Sequence, residues 1–388
     1  MAVEFTKPEI NVREKLAELD KPSGIAGEAM LRADTVAEQQ ALIGVGRRNL
    51  IINGDMRVAQ RGTSHTTTSA YTLDRWKFQT DLLDQYAHNV TQSSDAPDGF
   101  FNSFKVEVTT TETTVESTED LAVTQFIEAQ DCQALAAGTP SAKSLSLSFW
   151  VKSSVTGTFA VALTALDDSK VFPTTYTVNS ANTWEYKTIN IPPCTIATIN
   201  NDNGQGLSLR FITLSGSAYT SGSTGTWQSY ASNLFAASHQ AQISTDGDTW
   251  QITGVQLEIG KVATPFEHRS YGEELALCQR YYYKIGGPGN GTTTNLMIGG
   301  VESTTSAAFG GLAFPSTMRA VPTVAMSSSG LSFWAFTGTA STFSLAGNRC
   351  SKEVAAFTVS SLSSRTGGQV ANIYRSGDAG YIEFSAEL

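Results

Sequence analysis

The sequence contains little charge and no long apolar run. Charged residues make up only 16% of its 388 residues, whereas about a quarter is typical of globular proteins. The net charge is −10, and a chain this acidic lacks the clustered Lys and Arg that a nucleic-acid backbone requires. No run reaches the roughly 18 apolar residues that a membrane-spanning helix needs. We therefore expect neither nucleic-acid binding nor insertion into a membrane.

The sequence also lacks the motifs of common catalytic and metal sites. Cys132, Cys194, Cys278 and Cys350 include no CxxC pair, so we expect buried free thiols rather than a disulfide framework or a zinc site. The four histidines do not occur at HxH or HxxxH spacing. A nucleophile elbow, a Walker loop and a complete dinucleotide loop are all missing. These absences favour a protein that is not an enzyme and binds neither a cofactor nor a catalytic metal.

Acidic residues leave two other kinds of chemistry open. The predicted loop at residues 200–204 (NNDNG) could hold a structural calcium ion through its oxygen atoms, although it lacks EF-hand spacing. A glycosidase needs only two carboxylates about 5 to 9.5 Å apart. The candidates for such a pair are Asp55, Asp74, Asp246 and Asp248. The alternative interpretation is that these residues form turns, for which Asp and Asn are well suited.

Alternating apolar and polar residues predict that most of the chain is β-sheet. The clearest strand is residues 145–152 (LSLSFWVK), in which every second side chain is apolar and Trp150 lies on the polar face. Similar runs occur at residues 104–108, 159–165, 207–211 and 250–259. In the last run the alternation shifts at Gly254, which indicates a β-bulge. Because no helical pattern separates these strands, we predict an antiparallel sandwich.

Composition divides the chain into three zones, which are residues 1–48, 49–268 and 269–388. The first has a helical periodicity that places Val12, Leu16 and Leu19 on one apolar stripe. Short helices cannot form a core alone, so this zone must dock on the next domain, a sister subunit or a partner.

The third zone begins with a short helix predicted at residues 273–282, and its last residues alternate as a strand. We interpret this zone as a second, smaller sandwich. The predicted fold is mainly β, with two antiparallel, jelly-roll-like β-sandwich domains preceded by a short helical N-terminal anchor.

Aromatic residues in polar surroundings are the candidates for ligand contacts. Exposed rings stack on the C–H faces of sugars, because the ring face carries partial negative charge. The candidate carbohydrate-binding or receptor-binding residues are Trp184, Tyr186, Trp227, Tyr230 and Trp334. The alternative for each ring is burial beneath a loop or between sheets.

Several segments at the two ends of the central zone resemble a β-sandwich module that is frequent in bacteriophage tail fibres and tail appendages. They are residues 49–56 (NLIINGDM), 60–62 (QRG), 71–76 (YTLDRW), 254–260 (GVQLEIG), 263–267 (ATPFE) and 277–282 (LCQRYY). Residues 33–44 are similar to a short helix that often precedes fibre modules. Residues 315–322 and 386–388 match more weakly.

The resemblance implies a virion tail protein, assembled in the host cytoplasm, with carbohydrate-binding-like modules, frequent trimerisation and a role in host adsorption. Residues 1–48 would attach it to other tail proteins through Val12, Leu16 and Leu19, which could instead form a subunit contact. The central sandwich, residues 49–268, would be a carbohydrate-binding-like module, and the C-terminal sandwich, residues 269–388, would be distal and contact a host glycan or receptor. No secretory signal is evident at the N-terminus, as expected for such a protein.

Two alternatives remain. One is a purely structural head or tail decoration protein, and the other is a virion glycan hydrolase. Because no long shaft repeat is present, we expect a short, knob-like appendage rather than a polysaccharide-degrading tailspike.

Overall fold

The computed structural model describes residues 47–67, 69–81, 86–287, 296–302, 308–335, 338–340, 342–347, 349–362 and 366–388. The predicted helical anchor, with Val12, Leu16 and Leu19, lies outside these residues. Within them the chain is mainly β and its sheets are antiparallel, which confirms the predicted fold class.

The first sandwich consists of two sheets whose strands are numbered in chain order. The first sheet contains, in spatial order, β1 (Ser64–His65), β4 (Ala87–Ser93), β5 (Ser103–Thr110), β13 (Thr249–Ile259), β7 (Leu145–Ser153) and β10 (Glu185–Ile191). The second contains β12 (Gln228–Ser229), β9 (Lys170–Val178), β8 (Gly157–Ala165), β11 (Gln205–Ser215), β6 (Asp120–Glu128), β3 (Lys77–Asp81) and β2 (Ala70–Tyr71). Many connections cross from one sheet to the other, as in a jelly roll.

The core of this sandwich is built from the inward-facing residues of both sheets, as the alternation predicts. Phe149 and Phe211 meet edge to face with centroids 5.1 Å apart, and Phe149 meets Tyr176 at the same separation. The Trp250 indole N–H donates to the Tyr176 hydroxyl at 3.0 Å, so the polar tips of both rings are satisfied inside the core. Each fully buried large apolar side chain contributes about 1.5–3 kcal/mol, which explains how a core of this size is stable without disulfides.

Helical structure is limited to short elements in the described part of the chain. Two 3-10 helices cover Ala129–Leu135 and Ser232–Leu234. The helix predicted at residues 273–282 is present as α1 (Tyr271–Gln279). Its capping box joins Ser270 and Glu273, and the chain continues as a strand from Tyr282, so the helix begins and ends earlier than predicted. No helix among the described residues is long and apolar enough to cross a membrane.

The second sandwich also has two sheets. The smaller contains β14 (Tyr282–Gly286), β23 (Tyr381–Ser385) and β17 (Thr323–Met326). The larger contains β19 (Gly338–Ala340), β18 (Leu331–Ala335), β22 (Val370–Arg375), β15 (Leu296–Glu302), β16 (Ala308–Ala313), β21 (Val354–Ser360) and β20 (Ser344–Ala346). The strand predicted at the last residues is central in the smaller sheet, and Ile382 and Phe384 point into a separate core.

Residues near the start of the central zone lie along β13. The Asn49 side chain is buried, and its Oδ1 accepts hydrogen bonds from the Ile51 and Leu257 amides, both at 3.0 Å. Its Nδ2 donates to the Val255 carbonyl at 3.0 Å. Asn49 thus satisfies backbone groups of β13 that have no regular strand partner at this point.

The two sandwiches are joined by four charged residues and one tyrosine that we call the C-terminal clasp, which consists of Arg61, Arg75, Tyr281, Arg319 and Glu387. Arg75, only 1% exposed, pairs with the Glu387 carboxylate, and its guanidinium lies 3.5 Å from the centre of the Tyr281 ring. Arg61 reaches the same carboxylate at 3.0 Å, and Arg319 donates to the Glu387 carbonyl at 2.9 Å. The clasp therefore connects the last residues to the first sandwich.

Candidate functional site

The outer face of the first sheet, opposite the core, carries a strip of aromatic side chains. Trp150 in β7 pairs with Tyr186 in the edge strand β10, and their ring centroids are 5.3 Å apart. Trp184 immediately precedes β10, and its ring centre lies 5.9 Å from Nζ of Lys152, which is on the same face of β7 as Trp150. Phe100 extends the row on the other side of Trp150. We call Phe100, Trp150, Trp184 and Tyr186 the aromatic strip.

The β-bulge predicted at Gly254 is confirmed, and it makes room for Phe100. The register of β13 on β7 shifts between Thr253 and Gln256. Gly254 has φ +61°, and a Cβ atom there would lie 2.7 Å from the Phe100 Cζ and 3.2 Å from the Trp150 Cδ1. The missing side chain thus lets two rings of the strip approach the sheet backbone.

The loop between β4 and β5 positions Phe100. The Phe100 amide donates to the Pro97 carbonyl at 3.1 Å, and Gly99 has φ +90°, as the third residue of a type II turn requires. The ring then packs edge to face against Phe266, with centroids 5.1 Å apart. The turn therefore fixes the backbone of Phe100, and Phe266 supports its ring.

Asp95 is the polar centre of the strip. Its carboxylate accepts hydrogen bonds from Lys152 Nζ at 2.7 Å, Trp184 Nε1 at 3.2 Å and Gln251 Nε2 at 3.2 Å. Burial would raise the pKa of Asp95, but these three donors outweigh it and lower the pKa below its usual value. The side chain is still 45% exposed, so an ionised acceptor lies beside the rings.

The five predicted aromatic candidates do not form one site. Trp184 and Tyr186 lie together on the strip. Trp227 and Tyr230 flank β12 at the edge of the second sheet, and Trp334 lies on β18 in the second sandwich. Among these five candidates the three most exposed residues have similar exposed fractions, which are 46% for Tyr186, 44% for Tyr230 and 43% for Trp334.

Trp227 has contacts that resemble those of a packing residue. Its indole N–H donates to the Pro192 carbonyl at 2.8 Å, and its ring is tilted against Phe172 with centroids 5.8 Å apart. The half-buried ring packs on the first core. The alternative of burial beneath a loop therefore describes the environment of Trp227, whereas Tyr230 is 44% exposed.

Sequence reasoning did not identify Phe100 or Asp95, and it left Trp150 out of the candidates. Trp150 had a usable signal, since its place on the polar face of a strand was evident from the alternation. The turn at residues 97–100 (PDGF) was also visible as a turn motif. Neither pattern reveals that this loop folds back over β13.

The carboxylates considered for a glycosidase lie in different environments. Asp74 is buried and accepts hydrogen bonds from the Gln60 amide at 2.6 Å and side chain at 2.5 Å, while burial raises its pKa. Asp248 accepts from the Thr245 amide at 2.9 Å, as in a turn. Asp55 lines a cavity beside the strip.

The loop considered for calcium uses its polar groups within the protein. Asp202 Oδ1 accepts from the Gly204 amide at 2.8 Å, and Asn203 Nδ2 donates to the Arg319 carbonyl at 2.7 Å. Across the described ranges, no three His, Cys, Asp or Glu side chains are grouped as candidate metal ligands. The prediction of buried free thiols is confirmed for Cys132, Cys194 and Cys278, whereas Cys350 is free but only half-buried.

Comparison with known proteins gives similar solved structures but no family. No protein-family model and no curated protein matches the sequence. The enzymatically active domain of tailspike protein 4 from bacteriophage CBA120 is 16% identical with a TM-score of 0.32, and the match covers 55% of this chain and 21% of that one.

Two carbohydrate-binding modules are also similar in structure. TmCBM61, in complex with β-1,4-galactotriose, is 11% identical with a TM-score of 0.28, over 55% of this chain and 100% of that one. The family 11 carbohydrate-binding module from Clostridium thermocellum is 13% identical with a TM-score of 0.25, over 53% of this chain and 98% of that one. The chain therefore has structural neighbours among a phage tailspike domain and carbohydrate-binding modules.

Proposed function

We propose that the protein is a bacteriophage tail fibre or tail appendage component that binds a host-surface glycan and does not cleave it. The observation that carries glycan binding is the aromatic strip with Asp95 at its centre. The segments that resemble tail-fibre modules support the viral assignment.

The strip has the two features that a saccharide requires. Its rings offer apolar faces to sugar C–H groups, and the exposed Tyr186 ring and the half-buried Trp150 ring present a continuous surface. The Asp95 carboxylate and the Lys152 ammonium supply an acceptor and a donor for hydroxyl groups at the edge of the rings. Because the strip lies on an open sheet face, it suits a segment within a longer glycan chain.

The remaining parts of the proposal concern assembly. Residues 1–48 would attach the protein to other tail proteins, and the chain would form a homo-oligomer, most simply a trimer. Several strips on one particle bind through avidity, so each can bind weakly. The molar mass of the full chain in solution, measured by light scattering, tests the oligomeric state.

The binding experiment uses the full chain and oligosaccharides released from the host surface polysaccharide. We expect saturable binding by calorimetry, and Tyr186→Ala should weaken it about tenfold, which corresponds to about 1.4 kcal/mol for a lost ring contact. Tyr230→Ala and Trp334→Ala are matched controls, because these rings are equally exposed on other surfaces. Both controls should bind as the wild type does.

Three other results of the binding experiment would contradict the proposed site or function. Loss of binding in Tyr230→Ala or Trp334→Ala, with Tyr186→Ala unaffected, would move the site to the second sheet or to the second sandwich. Shortening of the polysaccharide during incubation would indicate a hydrolase. Absence of binding by a folded oligomer that is incorporated into virions would indicate a structural decoration protein.

A further inference from the structure

We propose that a cavity beside the aromatic strip is a second sugar site, which takes a single neutral hexopyranose ring. This inference rests on the proposed glycan-binding function and gives it a finer specificity. The cavity has a volume of about 260 Å³ and is lined by Asp55, Arg57, Phe100, Phe101, His268 and Tyr271. Phe100 belongs to both the strip and the cavity, so the two sites are adjacent.

Three separate elements of the chain build this cavity. Asp55 and Arg57 come from the segment that follows Asn49 along β13, and Tyr271 is the first residue of α1. Phe101 follows the turn between β4 and β5. Phe100 packs on Phe266, whereas Phe101 projects outward and is 88% exposed.

The rim of the cavity is apolar and unusually exposed. The Phe101 side chain is 88% exposed and the Tyr271 side chain is 54% exposed. Exposed aromatic rings at the mouth of a cavity are available for stacking on a ligand. The packing of the fold does not require Phe101, because so little of its surface is covered.

The wall of the cavity contains an ion pair. Asp55 is 7% exposed, and its Oδ2 pairs with Arg57. Its Oδ1 accepts no hydrogen bond from any residue that the structure describes. Because Oδ1 is closed off from the cavity, the role of Asp55 is to hold the Arg57 side chain, which is 26% exposed. The Arg57 guanidinium is then placed to donate to a ligand hydroxyl.

Size and charge define the class of ligand. The volume lies just below the roughly 300–1,000 Å³ of pockets that enclose drug-sized molecules, so one pyranose ring fits better than a chain. Arg57 offsets the Asp55 charge, so the cavity offers no net charge to a uronate or an amino sugar. The arrangement of two rings and a guanidinium donor whose charge is offset by Asp55 therefore favours a neutral hexose.

The experiment uses the full chain with methyl glycosides of glucose, galactose and mannose, and methyl glucuronide as the charged probe, detected by saturation-transfer NMR. We expect at least one neutral glycoside to bind, and Phe101→Ala and Asp55→Asn each to weaken it about tenfold. Ile196→Ala removes an apolar side chain of 48% exposure that does not line the cavity and should leave binding unchanged.

A variant of the strip distinguishes a failure of this inference from a failure of the proposed function. Tyr186→Ala, on the strip, should leave binding of the single-ring glycosides unchanged while it weakens oligosaccharide binding. If no neutral glycoside binds, if glucuronide binds better, or if Phe101→Ala has no effect, the cavity is not the proposed site. Phe101→Ala keeps the test valid even where Asp55→Asn impairs folding.

Discussion

The substitution Gly254→Ala tests whether the bulge in β13 shapes the aromatic strip. Gly254 has φ +61°, where alanine is strained, and the added Cβ would lie 2.7 Å from the Phe100 Cζ. The sheet backbone cannot move without breaking its pairing with β7, so the Phe100 ring must tilt away. We expect a loss of both stability and oligosaccharide binding.

The size of the effect follows from two contributions. A non-glycine residue in the left-handed region costs about 1 kcal/mol or slightly more. Insertion of a methyl group into packed rings costs a further 1–3 kcal/mol. The free energy of unfolding should therefore fall by about 2–4 kcal/mol, which lowers the midpoint of thermal unfolding by roughly 2–4 °C per kcal/mol for a domain of this size.

Gly225→Ala is the matched control for this prediction. Gly225 has φ +82°, but nothing lies within 4 Å of a Cβ placed there, so this variant should show the backbone strain of about 1 kcal/mol alone. Calorimetry of both variants gives the difference. Equal destabilisation, with oligosaccharide binding retained by Gly254→Ala, would show that Phe100 does not rest on the bulge and would refute the proposed geometry of the strip.

Three further predictions concern charged groups. Glu387→Gln leaves the buried Arg75 guanidinium without its ionic partner and should lower the free energy of unfolding by about 3–5 kcal/mol in urea titrations; a change below about 1 kcal/mol would contradict the clasp. Burial would raise the pKa of Glu185, but hydrogen bonds lower it to about 2 from the usual 4.5. The wild type should therefore be more stable than Glu185→Gln above pH 4.5, and this advantage should vanish as the pH falls towards 2, as thermal unfolding at several pH values would show. Asp95→Asn should weaken oligosaccharide binding by removing the charged acceptor beside Trp184, while stability changes by less than about 1 kcal/mol because the side chain is 45% exposed and the ion pair with Lys152 is at the surface; unchanged affinity would count against Asp95 as a sugar contact.

The local pattern of the sequence was enough to predict the strands and the bulge. In β7 and β13 each inward residue is apolar, and the period changes at Gly254, so both features are visible within a few positions. The strip was only partly predictable, because Trp184 and Tyr186 are two residues apart in the sequence but Phe100 reaches them from another loop. Such contacts depend on sheet order, which alternation alone does not determine.

The segments that resemble tail-fibre modules supply residues that connect distant parts of the chain, which the sequence alone did not indicate. Asn49, Arg75, Tyr281, Arg319 and Glu387 all belong to those segments, and all take part in the hydrogen bonds and ion pairs that join β13, α1 and the last residues. Most of the proposed sugar contacts, by contrast, lie on β7, on β10 and in the loop after β4, outside those segments. Buried charged groups need a fixed set of partners, whereas surface loops tolerate change. The motifs would therefore identify the scaffold, and the choice of glycan would depend on residues that the resemblance does not include.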